Sequence, residues 1–359
     1  MKPGRWGATL LVAGCFAGPD SSPDIAAPPL RAGYLAEPRW ERGNSSFGLS
    51  VGTPGALAAG HGAAVLHLRD PCLRLTMTVS DPPEVMVSHP CDAPVRGHPL
   101  ATMSHRSDAV FAGRRGEVLH LDGQRGMVVA ENIGGDLTVR GRLPSRAPIH
   151  AACSSDGQYI SYTDSLTPGV VRIHDLRVPD SSRELVLPPE FLAEGPSTWA
   201  GVQMGGAPGE PCVLVAPRAG LFAVIEGDSV VWTAALHEPL AMAPPRSQWE
   251  RFLDRFRGPP PPPPVGPLDA TSFAGGIAVL HQGATAEGGR LVDLYDRRGA
   301  YRETMILPKP AARIASTGTE LLAMGHNGRQ WWIALFWFPG EAPDPPPADT
   351  LAAARLPRH

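Results

Sequence analysis

Short apolar runs separated by turn-forming residues make up most of the hydrophobic pattern of this chain. The runs are roughly four to eight residues long and end at Gly, Pro, Asp or Asn, which is the pattern of β-strands joined by tight turns. Clear examples lie at residues 62–69, 73–79, 117–121, 159–162, 170–174, 212–215 and 221–225. Turn signals about every 8 to 12 residues are typical of an all-β sandwich, barrel or propeller.

The spacing of these runs favours a propeller over the other two folds. A unit of strand, Gly/Asp turn, strand and further strand recurs at 109–130, 149–187 and 275–308. Equivalent segments begin near residues 46, 97, 147, 197, 270 and 310. Most of these starts are about 40 to 50 residues apart, which is close to the length of a four-stranded blade. We therefore predict an all-β fold: a six-bladed β-propeller of four-stranded antiparallel blades.

The interval between the fourth and fifth segments is longer and carries one helical pattern. Ser247 and Glu250 form a capping box, and apolar residues follow at helical spacing as far as Phe256. A run of six prolines, 259–264, comes next and favours an extended connector. The sequence therefore predicts one short helical and Pro-rich insertion near residues 245–267.

The densest aromatic cluster of the chain lies near its carboxyl end, at residues 331–338. Strand alternation places Trp331 on one face and Trp332 on the other, and both faces of an inner propeller strand pack on neighbouring blades. We therefore interpret the cluster as core, with a glycan or protein contact as the alternative. Propellers commonly close by pairing strands from the two chain ends, so we expect residues 31–36 to add a strand to this blade.

The beginning of the chain has the features of an export signal. Lys2 and Arg5 precede a short apolar run, and Leu-Val-Ala-Gly leads directly into Cys15. This stretch resembles the lipobox of bacterial lipoproteins, whose signal is cut before a Cys that then carries lipid. The resemblance implies a signal peptide over 1–14, lipidation of Cys15 and a linker over 15–30. The alternatives are a plain secretory signal or a chance run of small residues.

The same resemblance bears on localisation. The apolar run up to Gly14 is too short to span a bilayer, which takes about 20 apolar residues. Lipid on Cys15 would make the membrane a partner of the chain. In Gram-negative lipoproteins an Asp after the Cys marks retention at the inner membrane, and this chain has Phe16 there. We therefore expect a secreted, lipid-anchored protein of the cell envelope, at the outer membrane on its periplasmic or surface side.

Residues in the fifth unit resemble bacterial six-bladed β-propeller lipoproteins, a group related to NHL-repeat and TolB-like propellers. The resemblance rests on a Gly-rich opening strand at 273–279, a strand ending in Tyr-Asp followed by a Gly turn at 291–299, and a strand ending in Leu-Pro at 305–308. It implies a propeller over 31–339 and a loosely ordered tail over 340–359. Members of these groups are mostly binding platforms, and lactonase-type relatives hold a metal in the central channel.

Composition excludes some classes of partner. The formal net charge is -3, and the only lysines are Lys2 and Lys309. Nucleic-acid binding needs a basic patch, so no nucleic-acid partner is expected. We expect a monomer whose partner is an envelope protein or a glycan.

The cysteines indicate a disulfide rather than a metal. Besides Cys15 the chain has four, and none of them lies in a C-x-x-C pair, so no zinc site is predicted. An even number outside the cytoplasm permits disulfides. Cys72 and Cys91 are the closest pair in sequence and are our predicted bridge. The alternative is buried free thiols.

The sequence offers only weak candidates for catalysis. Ser50 lies in a G-x-S-x-G match, but the helix that a nucleophile elbow requires does not follow it, so we assign it no catalytic role. His120 and His174 occupy similar places in consecutive repeats, as do three aspartates. These are Asp122, Asp175 and Asp296. The aspartates are better explained as acceptors for turn amides than as groups converging on the channel.

A lactonase-like centre would need carboxylate and amide oxygens around a calcium-like ion. Residues of the right types are Glu117, Asn132, Asp164 and Asn327. No spacing selects them, so we predict no metal site, no cofactor and no catalytic residue. The function that we predict is an envelope-anchored, non-catalytic platform for a protein or glycan. One alternative is a lactonase- or hydrolase-type propeller enzyme with a metal in its channel, and a second is a purely structural component of the envelope.

Overall fold

The structure is a computed structural model, and it describes most of the strands of the chain. The described residues are 33–43, 46, 54–60, 62–68, 73–80, 83–90, 109–112, 117–123, 125–132, 136–144, 146–154, 158–164, 166–178, 181–192, 201–238, 267–281, 289–326 and 330–339. The predicted signal, linker, helix with its Pro-rich insertion, and tail lie outside them, so those predictions stay predictions. No helix in the described ranges is long and apolar enough to cross a bilayer.

Twenty-five strands account for most of the described residues. In chain order they are β1 (Gly33–Leu35), β2 (Trp40–Gly43), β3 (Pro54–Gly60), β4 (Ala63–Leu68), β5 (Leu73–Thr78), β6 (Val85–Pro90), β7 (Ala109–Ala112), β8 (Val118–Asp122), β9 (Met127–Glu131), β10 (Leu137–Arg142), β11 (Ile149–Cys153), β12 (Tyr159–Asp164), β13 (Val170–Asp175), β14 (Ser182–Val186), β15 (Gln203–Gly205), β16 (Cys212–Ala216), β17 (Leu221–Glu226), β18 (Ser229–Ala235), β19 (Pro267–Phe273), β20 (Gly276–His281), β21 (Leu291–Asp296), β22 (Tyr301–Ile306), β23 (Arg313–Ser316), β24 (Glu320–His326) and β25 (Trp331–Trp337). A 3₁₀ turn covers Pro189–Leu192.

These strands form six sheets, which are the six predicted blades. Blades 1 to 4 are β3–β6, β7–β10, β11–β14 and β15–β18, blade 5 contains β19–β22, and blade 6 contains β23–β25. The first strand of each blade contacts the first strand of the next, and β23 contacts β3. This chain of contacts closes a ring with the first strands innermost. The six-bladed propeller is therefore confirmed.

The ends of the chain close the ring differently from the prediction. β2, and not residues 31–36, pairs with β25 and becomes the outer strand of blade 6. β1 instead pairs with β22 in parallel and gives blade 5 a fifth strand. The prediction was wrong because two strand-forming pieces lie close together there. Local pattern does not tell which of the two blades each piece will join.

Apolar side chains fill the spaces between blades. Successive residues of β25 point to opposite sides: Trp331 and Ile333 join the core shared with blade 1, and Trp332 and Ala334 join the core shared with blade 5. The aromatic cluster is thus core, as predicted. Trp337 is half-buried, and the guanidinium carbon of Arg39 lies 4.3 Å from its ring centroid.

Two adjacent glycines of blade 4 allow close approach to its two neighbours, Gly205 to blade 5 and Gly206 to blade 3. A Cβ on Gly205 would lie 1.8 Å from the carbonyl oxygen of Ala270, and one on Gly206 would lie 2.6 Å from the Sγ atom of Cys153. Real Cβ atoms do not make such contacts, so only glycine fits here without a backbone shift.

Candidate functional sites at the blade interfaces

Several residues that the sequence analysis singled out lie outside the described residues. They are Cys15, Ser50, Cys72, Cys91 and Asn327. The predicted Cys72–Cys91 bridge therefore stays a prediction.

The repeated aspartates serve turns, as predicted. A carboxylate oxygen of Asp122 accepts the backbone N–H of Arg125 at 3.0 Å, and Asp175 accepts that of Arg177 at 2.9 Å. Asp296 accepts the N–H groups of Arg298 and Ala300. Each carboxylate thus replaces a backbone acceptor in a hairpin.

The two histidines are not equivalent, contrary to the sequence analysis. His120 lies on the second strand of blade 2, while His174 lies on the third strand of blade 3. The Nδ1 atom of His174 lies 2.6 Å from the carbonyl oxygen of Ser181 in its own hairpin, whereas His120 bonds across β8 and β9. The strands around the two histidines have similar sequences, but they occupy different positions in their blades.

The residues considered for a lactonase-like centre are dispersed. Glu117 pairs with Arg140 on blade 2, and Asn132 bonds to Asp136 in a hairpin. Asp164 accepts from Leu166 and Thr167 in a turn of blade 3 and pairs with Arg172. Among the described residues, no group of three or more His, Cys, Asp or Glu side chains is placed to hold a metal ion.

Polar side chains on the inner strands connect neighbouring blades. Asp269 on β19 accepts the backbone N–H of Ile314 on β23 at 3.0 Å, and its other oxygen accepts that of Ala270. Arg313 donates from Nε to the carbonyl of Gly55 in blade 1. Burial raises the pKa of Asp269 to about 6, although Arg313 and the two amides oppose the rise. Because both oxygens accept backbone amides, we interpret Asp269 as a connector between blades 5 and 6.

A buried charged network joins blades 1 and 2. The carboxylate of Glu131 accepts from Arg74 at 3.2 Å and from Thr76 at 3.3 Å, and it lies 2.8 Å from Nε2 of His120. The side chains of Arg74 and Glu131 are 0% and 1% exposed. Of these four residues, Arg74 and Thr76 belong to β5, while His120 and Glu131 belong to β8 and β9. Buried charged side chains therefore contribute to the contact between blades 1 and 2.

The pKa values of this network predict loss of stability in acid. Desolvation lowers the pKa of His120, and the bond to Glu131 only partly offsets it. Burial alone would raise the pKa of Glu131, but bonding and charge from His120 and Arg74 outweigh it and hold the pKa below its usual value. For both groups the folded pKa is lower than the unfolded one. Their stabilisation is therefore complete above the unfolded pKa of His, about 6.5, and is lost as pH falls.

We expect the free energy of unfolding of the full chain to fall with pH below about 6.5. The free energy of unfolding of a His120→Gln variant should fall less over the same pH range, because the variant has no imidazole to protonate at this position. Urea unfolding at several pH values between 7.5 and 4.5 measures both slopes. Equal slopes in the two proteins would contradict the assignment of this pH dependence to His120.

A second buried polar chain lies between blades 4 and 5. Nε2 of His281 is 3.0 Å from a carboxylate oxygen of Asp293, and the hydroxyl of Thr304 donates to the other oxygen at 2.6 Å. The Tyr301 hydroxyl lies 2.8 Å from that of Thr304, and His237 of blade 4 stacks on the Tyr301 ring. The chain connects the outer strands of blade 5 with blade 4.

A disulfide, which the sequence analysis did not predict, joins blades 3 and 4. Cys153 on β11 is bonded to Cys212 on β16, with the Cα atoms 5.8 Å apart and a sequence separation of 59. Both residues are buried. The bond fixes the separation of the two blades near the axis.

An open groove of about 430 Å³ lies between the same two blades, toward their outer strands. Blade 3 supplies most of the lining, and blade 4 supplies the turn between β17 and β18. The lining residues are Tyr159, Ile173, Asp175, Val178, Ser181, Arg183, Gly227 and Asp228. The volume is within the roughly 300 to 1,000 Å³ of ligand sites.

The charged side chains of the groove are paired. Arg183 bonds to Asp228 across the gap between the blades at 2.5 Å. Arg177, at the border of the groove, bonds to both oxygens of Asp175 and to the Tyr159 hydroxyl. The Arg177 side chain and backbone lower the pKa of Asp175 to about 2, so this carboxylate is ionised at any physiological pH. The groove is thus polar and carries balanced charge.

Comparisons with known proteins give only distant structural similarity, and no activity is inferred from them. No family model and no curated protein sequence matches the chain. A streptogramin B lyase structure is similar with 9% identity and a TM-score of 0.48, over 80% of this chain and 95% of that one. Virginiamycin B lyase from Staphylococcus aureus is similar with 10% identity and a TM-score of 0.44, over 79% and 81%. A gluconolactonase from Xanthomonas campestris is similar with 9% identity and a TM-score of 0.44, over 80% and 87%.

Proposed function

We propose that this chain is a non-catalytic binding platform of the bacterial cell envelope, and that it binds a protein or a glycan in the groove between blades 3 and 4. The observation that carries the proposal is the groove itself. It combines a tyrosine ring, apolar side chains and paired charges in a volume suited to a ligand. A disulfide nearer the axis joins the two blades that line the groove, and a site held by a fixed scaffold loses less entropy on binding.

The export part of the proposal is supported by the cysteines. Disulfides persist outside the cytoplasm and are rare within it. The buried bond between Cys153 and Cys212 therefore agrees with the export signal and lipobox resemblance that end at Cys15. Two or more acyl chains would hold the mature chain at a membrane.

Replacing Cys15 by serine is expected to abolish acylation and release the protein from the membrane. A serine hydroxyl cannot form the thioether that carries the lipid. Membrane fractionation and intact mass of the full chain expressed in a Gram-negative host measure the effect, with Cys72→Ser as the matched cysteine control. Unchanged membrane retention and mass in the Cys15→Ser protein would contradict the anchor.

The binding role is tested by placing a photoreactive diazirine side chain at the edge of the groove. Val178 lines the groove and is 51% exposed. Leu166 is 66% exposed and lies at the other end of blade 3, in the turn between β12 and β13. In the full chain at the envelope, we expect a discrete adduct from position 178 and none from position 166. Adducts from neither position, or equally from both, would contradict a specific site in the groove.

A further inference from the structure

We propose that the ligand of the groove between blades 3 and 4 is a neutral oligosaccharide. This inference rests on the proposed function and names the class of its ligand.

The charges of the groove favour a ligand without net charge. Two arginines and two aspartates border it, and each arginine is bonded to one of the aspartates. An anionic ligand would compete with Asp175 for Arg177, which already donates to both oxygens of that carboxylate. A cationic ligand would compete with Arg183 for Asp228 in the same way. A neutral ligand leaves both ion pairs intact.

The hydrogen-bonding groups of the groove suit hydroxyl groups. A carboxylate has about four acceptor sites and a guanidinium has five N–H donors, so a paired Asp and Arg still have bonding capacity. The side chains of Arg183 and Asp228 are 75% and 60% exposed, and that of Arg177 is 56% exposed. A hydroxyl is both donor and acceptor, and it can bond to both members of an ion pair. A polyhydroxylated ligand therefore matches the groove without displacing any of its bonds.

The apolar part of the groove provides a surface for the C–H face of a sugar ring. Tyr159 and Val178 supply it, and the buried Ile173 lies beneath them. Arg177 holds Tyr159 in place: its Nη2 donates to the tyrosine hydroxyl at 2.8 Å, and its guanidinium carbon lies 5.3 Å from the ring centroid. A side chain that is fixed before binding loses little entropy when a ligand packs against it.

The strands that carry these residues do not favour an added peptide strand. β12 is paired with β11 and β13, and β13 is paired with β12 and β14. Both edges of each strand are therefore used, and Tyr159, Ile173 and Asp175 can offer a ligand only their side chains. Peptides that bind by strand addition need a free edge. Among the described strands of blade 3 that line the groove, only β14, which carries Arg183, has an unpaired edge. Recognition by side chains agrees with a saccharide, and a polypeptide is the other outcome of the test.

The experiment measures saccharide binding by the full chain in a non-glycosidic detergent. The probes are neutral linear tetrasaccharides of glucose, galactose and N-acetylglucosamine, followed by saturation-transfer NMR and calorimetry. We expect one of them to bind with an affinity that is unchanged between low and high salt, because neither partner brings net charge to the site. Tyr159→Ala should weaken binding by about tenfold, through loss of the ring surface.

Asp228→Asn keeps the size of a largely exposed side chain and removes its charge, so it should weaken binding by a few fold without affecting folding. Glu117→Gln is its matched control, because it removes the carboxylate of another exposed ion pair, with Arg140 on blade 2. This control should bind like the unmodified chain. If neither Tyr159→Ala nor Asp228→Asn changes saccharide binding, the groove is not the binding site and the proposal is overturned.

The two proposals fail in different ways. If no saccharide binds, and the adduct from position 178 contains a polypeptide, the groove is a protein-binding site and the present inference is overturned while the platform function stands. If no saccharide binds and no adduct forms, both proposals are overturned.

Discussion

Replacing Glu131 by alanine is expected to lower the free energy of unfolding by about 3 to 5 kcal/mol. The variant leaves Arg74, whose side chain is 0% exposed, without the carboxylate that compensates its charge. It also removes the acceptor shared by Thr76 and His120. An uncompensated buried charge costs far more than the few tenths of a kcal/mol typical of surface pairs. Urea unfolding of the full chain measures the loss.

The control for this prediction is Glu117→Ala. Glu117 and Arg140 form an exposed ion pair on the same blade, so we expect a change of no more than about 1 kcal/mol. A double variant, Glu131→Leu with Arg74→Met, should recover much of the loss, because apolar residues of similar volume need no compensation. A loss below about 1 kcal/mol in Glu131→Ala would show that Arg74 finds another partner for its charge.

Removing the disulfide between blades 3 and 4 is the second large effect that we expect. Replacing Cys153 and Cys212 together by alanine should lower the free energy of unfolding by about 4 kcal/mol in the loop-entropy account, because the bond closes a long loop in the unfolded chain. Loss of the bond also removes a covalent link, nearer the axis, between the two blades that line the groove. We therefore expect weaker ligand binding in the same variant.

Reduction provides the control for the disulfide. A thiol reductant should destabilise the unmodified chain by a similar amount and leave the double alanine variant unchanged. If the reductant destabilises the double variant as well, a second bridge contributes, and Cys72 with Cys91 is then the candidate. Alkylation followed by intact mass counts the free thiols in each case.

The buried networks show where sequence reasoning stopped. Glu131 and Arg74 are 57 residues apart, and each is the only charged residue of a largely apolar strand. The sequence did contain one signal, a charged residue within a largely apolar strand. Such a residue is expected to have a buried partner, but the sequence does not identify that partner. The partner depends on which faces of blades 1 and 2 meet. Strand propensity does not contain that information.

The disulfide was missed for a related reason. Proximity in sequence favoured Cys72 with Cys91, whereas Cys153 and Cys212 lie in different blades. Spacing alone could not have paired them, because their distance is set by how blades 3 and 4 pack against each other. The groove also forms only when these blades pack: its lining comes from two strand starts, a strand end and two turns, and no sequence motif joins them.

The sequence by itself determined the strands, the number of blades, the turn aspartates and the aromatic core near the carboxyl end. These features depend on residues within a few positions of one another, where alternation and turn chemistry act directly. Only the tertiary structure decided how β1 and β2 close the ring, which cysteines meet and which charges compensate each other. Those contacts form across blade interfaces, where residues distant in sequence become neighbours once the ring is closed.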